Sequence, residues 1–111
     1  MARRRFRVRW VEVAVRDFEE VVSYIAVDSP TNAERILERI ESRAATLETS
    51  PARGRVVPEL ARFGMRAWRE LVVKPYRLVY RIQGDMVTVL APFDGRRGLE
   101  DLLLERLVRS P

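Results

Sequence analysis

From Trp68 to Arg97 the chain reads WRELVVKPYRLVYRIQGDMVTVLAPFDGRR, and no other stretch narrows the fold as much. Lys74-Pro75 and Gln83-Gly84-Asp85 break it into three runs of strand-forming residues. The alternation predicts strands over 67–73, 76–82 and 86–92. Turns this short can only join antiparallel neighbours. The first two strands carry arginines beside aromatics, and Gly95-Arg96-Arg97 closes the set. The result is a small antiparallel sheet bearing cations, the kind of platform that faces RNA or an anionic partner.

Upstream, the period changes twice. Phe6, Val8 and Trp10 alternate with Arg5, Arg7 and Arg9, which predicts a further strand with one buried face. Over 12–26, Ala14, Phe18, Val21 and Ile25 form one stripe of an amphipathic helix. At Asp28-Ser29-Pro30 that helix stops and another starts, because Ser29 can cap and Pro30 suits the first helical position. Ala33, Ile36, Leu37, Ile40, Ala44 and Leu47 carry the second helix to about residue 48. So short a link makes the two helices an antiparallel hairpin.

Residues 50–55 read as a loop. Residues 56–65 fit no single period, and Pro58 argues against a central strand there. Leu99, Leu102, Leu103 and Leu107 suit a final helix. The expected order is β-α-α-β-β-β-α. This is an α+β fold in which the helix hairpin packs on one face of the sheet. Residues 1–111 are expected to form one domain.

Composition removes several chemistries. The 111 residues contain no cysteine and no histidine. Thiolate nucleophiles, disulfides and the usual metal ligands are therefore ruled out, and no metal or cofactor is expected. No apolar run approaches the ~20 residues of a membrane span. The basic start, MARRRFRVRW, leads into no signal-type apolar core. A soluble cytoplasmic protein is the expectation.

The net charge of +5 is unevenly placed. Residues 1–10 and 51–100 each carry a surplus of five positive charges, and residues 11–50 a deficit of five. The predicted sheet is thus cationic and the helices acidic, a dipole that suits an anionic partner. Lys74 is the only lysine among 21 basic residues. Arginine forks bind phosphate and carboxylate well but hardly ever release a proton, so binding comes more easily to this chain than acid–base catalysis.

A family resemblance runs along nearly the whole chain. Its pieces are Trp10, Ala14, Asp17-Phe18 and Tyr24-Ile25-Ala26, then Ser29-Pro30 and Ala33. Leu47, Pro51, Gly54-Arg55 and Pro58-Glu59-Leu60 follow, then Arg69-Glu70-Leu71, Tyr76-Arg77-Leu78-Val79-Tyr80-Arg81 and Gly95-Arg96-Arg97. In this order they resemble the RelE/ParE superfamily of bacterial type II toxin–antitoxin systems, which includes plasmid stabilisation proteins. The resemblance implies a small growth-inhibiting toxin held inactive by an antitoxin. Two activities divide the superfamily. RelE-like members cut mRNA in the ribosome. ParE-like members inhibit DNA gyrase and lack the nuclease residues.

Cleaving RNA requires a base for the 2′-hydroxyl, cations on the phosphate and an acid for the leaving oxygen. By resemblance, Arg77 matches the central sheet arginine of the nucleases. Arg97 matches a second phosphate-contacting arginine, with Arg96 beside it. The nuclease lysine positions fall on Trp68 and Glu70, and the terminal tyrosine position on Leu103. Where many relatives read His-Gly-Arg-Arg-Asp, this chain has Asp94-Gly95-Arg96-Arg97-Gly98. Lys74 is the remaining candidate base, in a turn beside Pro75. If the chain is a nuclease, its catalytic set is Arg77, Arg97 and Lys74. Otherwise Arg55, Arg69, Arg77, Arg81, Arg96 and Arg97 are candidates for binding anions or the target.

Each of these residues also has a plainer reading. Arg77 and Arg81 share one side of their strand and can pair across it with Glu70 or Asp85. Glu59 reads as structural, pairing with a sheet arginine. Tyr76, Tyr80, Trp10 and Trp68 read as packing residues, and Arg96 and Arg97 as solvated loop cations. Arg3, Arg4 and Arg5 read as a mobile tail adding nonspecific affinity. The combined expectation is a ParE-like toxin that inhibits gyrase by binding and is neutralised by an antitoxin with an acidic, amphipathic C-terminal segment. A ribosome-dependent mRNA endonuclease is the first alternative, and an inactive interaction module the second.

Overall fold

The computed structural model describes residues 4–94. Strand β1 (Arg7–Trp10) leads into helices α1 (Glu12–Asp28) and α2 (Pro30–Ala45). A 3-10 turn over Thr46–Glu48 extends α2, and a second covers Pro51–Arg53. Then come β2 (Arg55–Val56), the one-turn helix α3 (Pro58–Ala61), β3 (Trp68–Val73), β4 (Tyr76–Gln83) and β5 (Met86–Asp94). The strands form one sheet in the order β1-β5-β4-β3-β2.

Local chemistry explains most of these boundaries. Ser29 caps α2 by accepting a hydrogen bond from the Asn32 N–H at 3.2 Å, and Pro30 occupies the first turn. Gly84 takes φ +61° in the β4–β5 turn, a left-handed conformation that glycine adopts without steric cost. Pro58 also opens a helix, and the two-residue strand before it lies at the sheet edge. The ambiguous 56–65 region thus resolves into an edge strand and a helical turn.

The sheet differs from the expected all-antiparallel one. Strand β1 pairs in parallel with β5, with Arg9 opposite Thr88 and Trp10 opposite Val89. The helix hairpin is the cause. Helix α1 runs back over the sheet and α2 returns, so β2 starts where β1 ended and runs against it. Three further antiparallel steps bring β5 beside β1 in the same direction. The predicted helix through Leu99, Leu102, Leu103 and Leu107 lies outside the described residues.

Two apolar clusters cover the two faces. On the helical side, Ile40, Ala44 and Leu47 pack on Leu71, Leu78, Tyr80, Val87 and Val89, with Trp10 and Phe18 partly buried against them. Trp10 and Phe18 stack with ring centroids 5.3 Å apart. On the opposite side, Val57 and Leu60 cover Val79, Leu90, Ala91 and Phe93, with Met65 and Trp68 partly buried alongside. Tyr76 and Tyr80 are buried, so they pack rather than form a platform for bases.

The N-terminal arginines, where described, rest on the fold. The Arg4 guanidinium lies over the Phe6 ring at 4.7 Å, and Arg5 faces Glu48 at 3.7 Å. Both arginines are exposed. Among the described residues, no helix is long and apolar enough to cross a membrane.

Candidate functional site

The non-helical face of the sheet holds the arginines that the sequence singles out. Strand alternation puts Arg77, Val79 and Arg81 on this side of β4, beside Glu70 and Trp68 of β3. The short helix α3 lies over one half of it and brings in Glu59.

Arg77 is enclosed by acid. Its Nη1 and Nη2 donate to the two Glu59 carboxylate oxygens at 2.6 and 2.8 Å. Its Nε donates to Glu70 Oε1 at 2.8 Å. The other Glu70 oxygen accepts from Arg55 Nε at 2.7 Å. The Glu70 side chain is fully buried, the Arg77 side chain 12% exposed and the Glu59 side chain 18% exposed. A carboxylate with no access to water needs cations at both oxygens, and the two arginines supply them. The hydrogen bonds from Arg77 hold the Glu59 carboxyl below its ordinary value of 4.5. In return, the bonds to Glu59 and then Glu70 hold the Arg77 proton more firmly than usual.

Arg81, four residues along the same strand, has a different setting. Its guanidinium sits 5.7 Å from the centre of the Trp68 ring. Asp85, its expected partner, instead faces Arg7 at 3.9 Å. Arg69 points to the other face and serves the loop before β2. Its Nη1 donates to the Gly54 carbonyl at 2.7 Å and to the Ala52 carbonyl at 3.5 Å. Tyr80 braces the same loop: its hydroxyl donates to the Pro51 carbonyl at 2.5 Å and accepts from the Gly54 N–H at 3.0 Å. Burial pushes the Tyr80 phenol above its ordinary value of 10.0. Gly54 is required here because a Cβ would meet the Tyr80 hydroxyl and the Glu70 carbonyl, the latter at 2.6 Å.

The structure therefore separates the candidates. Arg55 and Arg77 share Glu70, Arg69 clamps a loop and Arg81 stands beside a ring. Lys74 is exposed in the β3–β4 turn, where its carbonyl accepts from Arg39 at 3.4 Å. Arg96 and Arg97 lie outside the described residues. Pairing of Glu59 with a sheet arginine, and of Arg77 with Glu70, matches the plainer sequence reading. The burial of Glu70 was not anticipated, although one signal existed. Its neighbours on the same strand side, Trp68 and Val72, are apolar, so an acid between them has to find cations.

Comparison with known proteins places the fold and the chain. The family described as "ParE toxin of type II toxin-antitoxin system, parDE" has a sequence model that matches residues 8–97. A curated protein of Sinorhizobium fredii, "Putative toxin Y4kP", is 36% identical over 84 residues, which is 74% of this chain and 81% of that protein. A solved structure titled "Chromosomal ParDE TA system from P. aeruginosa" superposes with a TM-score of 0.67 over 82% of this chain and 97% of that one. Its 17% identity makes it evidence for the fold alone. The extent of the family match, the identity to a toxin and the shared architecture lead to one conclusion: this chain belongs to the ParE toxin family of type II toxin–antitoxin systems.

Proposed function

We propose that this ParE-family toxin acts by binding DNA gyrase in the cytoplasm, without hydrolysing RNA, and that a cognate antitoxin neutralises it. One observation carries the non-nuclease half of this reading. Arg77, the position that matches the phosphate-gripping sheet arginine of the nucleases, has its guanidinium committed to Glu59 and Glu70. An arginine used this way offers an incoming phosphate little, and displacing Glu59 would strand a charge in a poorly hydrated place. The two positions of the nuclease lysines hold Trp68 and the buried Glu70. Gyrase as the target is what the resemblance to ParE-like toxins implies.

The antitoxin reading also has physical support. Strand β2 is a two-residue edge, and edges of a sheet call for cover. Arg53 and Arg55 are exposed at this edge, which favours an acidic, amphipathic segment that folds on binding.

The test is supercoiling of relaxed plasmid by gyrase with the purified chain, beside a translation reaction probed for mRNA cuts. Blocked supercoiling with intact mRNA is expected. Cut mRNA with normal supercoiling would replace this reading with a ribosome-dependent nuclease. No effect in either reaction, with harmless expression in the absence of an antitoxin, would leave an inactive interaction module.

A further inference from the structure

The half of the non-helical face that α3 does not cover carries a second feature. Register places four residues in one row across four strands. Arg9 of β1 lies opposite Thr88 of β5, Thr88 opposite Arg81 of β4, and Arg81 opposite Trp68 of β3. Arg7 stands two residues before Arg9 on the same side. Strand spacing sets Arg9 about 10 Å from Arg81 across the row and about 7 Å from Arg7 along the strand. Among the described residues, no carboxylate contacts Arg9 or Arg81, whereas Arg77 has two.

We propose that this row, Arg9 and Arg81 with Arg7 beside them, is a binding surface for duplex DNA, engaged through its phosphate backbone. Three observations choose this ligand. First, the cations are all arginine, whose fork matches phosphate oxygens. Second, an amphipathic peptide needs an apolar anchor beside its charged contacts. The apolar ridge of this face, Val79, Leu90 and Phe93, is already covered by Val57 and Leu60. Third, a single strand needs aromatic rings for its bases to stack on. The tryptophan of this row, Trp68, already carries Arg81 and packs against the cluster of Val57 and Leu60. What remains is charge read without bases, which is how proteins hold a duplex backbone irrespective of sequence. The inference stands apart from gyrase as target, because naked DNA suffices to test it.

A chain with a net charge of +5 binds DNA to some extent in any case, so the test must resolve position. A fluorescein-labelled 20-base-pair duplex is titrated with the full chain, followed by anisotropy at several salt concentrations. R9E/R81E is compared with R16E/R35E, which changes net charge equally on the helices. R9Q/R81Q serves as a milder pair, and circular dichroism melting checks that each variant folds. The proposal expects R9E/R81E to bind at least about tenfold more weakly and the salt slope to fall by roughly two, one per phosphate contact. R16E/R35E should stay within about threefold of the parent. Equal losses in the two charge-matched variants, or no loss in folded R9Q/R81Q, would overturn it. So would tighter binding to a labelled polyglutamate peptide or to a single strand than to the duplex.

Discussion

Arg77 and Arg81 sit four residues apart on β4, on one side of one sheet, each after a tyrosine, yet the fold uses them in opposite ways. Arg77 is closed in by Glu59 from α3 and Glu70 from β3. Arg81 lies over Trp68, on the half of the sheet that α3 does not cover. The difference lies in what the neighbouring strand and the crossing segment bring, since the two arginines share a local motif. Where an acid arrives from elsewhere in the chain, a sheet arginine becomes part of the protein interior. Where none does, it remains a surface cation. This division of one sheet separates an arginine held by acid from one that no acid holds.

The comparison breaks most visibly at Arg77. Arg77→Ala should cost about 3–5 kcal/mol, because it leaves one fully buried carboxylate and one mostly buried carboxylate short of a cation. That is a large share of the roughly 5–15 kcal/mol that holds a typical domain together, and urea unfolding measures it. Gly54→Ala should cost roughly 1–3 kcal/mol by overpacking, since its Cβ has backbone on one side and the Tyr80 hydroxyl on the other. Its melting temperature should fall while the Arg81 face is unaffected.

Acid sharpens the same contrast. The Glu59 carboxyl is lowered in the fold, so its ionised form is the one the fold stabilises. That contribution is complete at neutral pH and is lost as pH falls from about 4.5 through the lowered folded value. Glu59→Gln should therefore be less stable than the parent at pH 7, and the gap should close on acidification. Melting curves from pH 7 to pH 3 read both effects. At the small end, Arg81→Ala should cost about 1 kcal/mol, the scale of a half-buried cation–π contact.

Much of the scaffold was legible because it follows from periodicity. Alternation located β1, β3, β4 and β5, and a four-three-four stripe located α1. Ser29-Pro30 marked the helix break to the residue, since capping is a local chemical event. The parallel pairing of β1 with β5 was not legible, because it depends on where the helix hairpin returns the chain. The short elements β2 and α3 were not legible either. Two residues of strand and one turn of helix are too few to display a period.

The candidate site divides along the same line. Arginines on one side of β4 could be read from alternation, and Glu59 could be matched to one of them by resemblance. The clamp of Arg69 on the Gly54 carbonyl could not, since its acceptor is backbone in a loop whose shape exists only once β2 and β3 pair. The row joining Arg9 to Arg81 was equally hidden, for it requires the parallel pairing that the sequence does not announce.

The most direct measurement is a double-mutant cycle between Arg77 and Glu59, with stability read by urea unfolding at neutral pH. If Arg77 is an interior residue held by acid, Arg77→Ala and Glu59→Ala should each destabilise, and the pair should cost less than their sum by roughly 2 kcal/mol. Costs that add within about 0.5 kcal/mol would contradict this and return Arg77 to the set of free, target-facing cations.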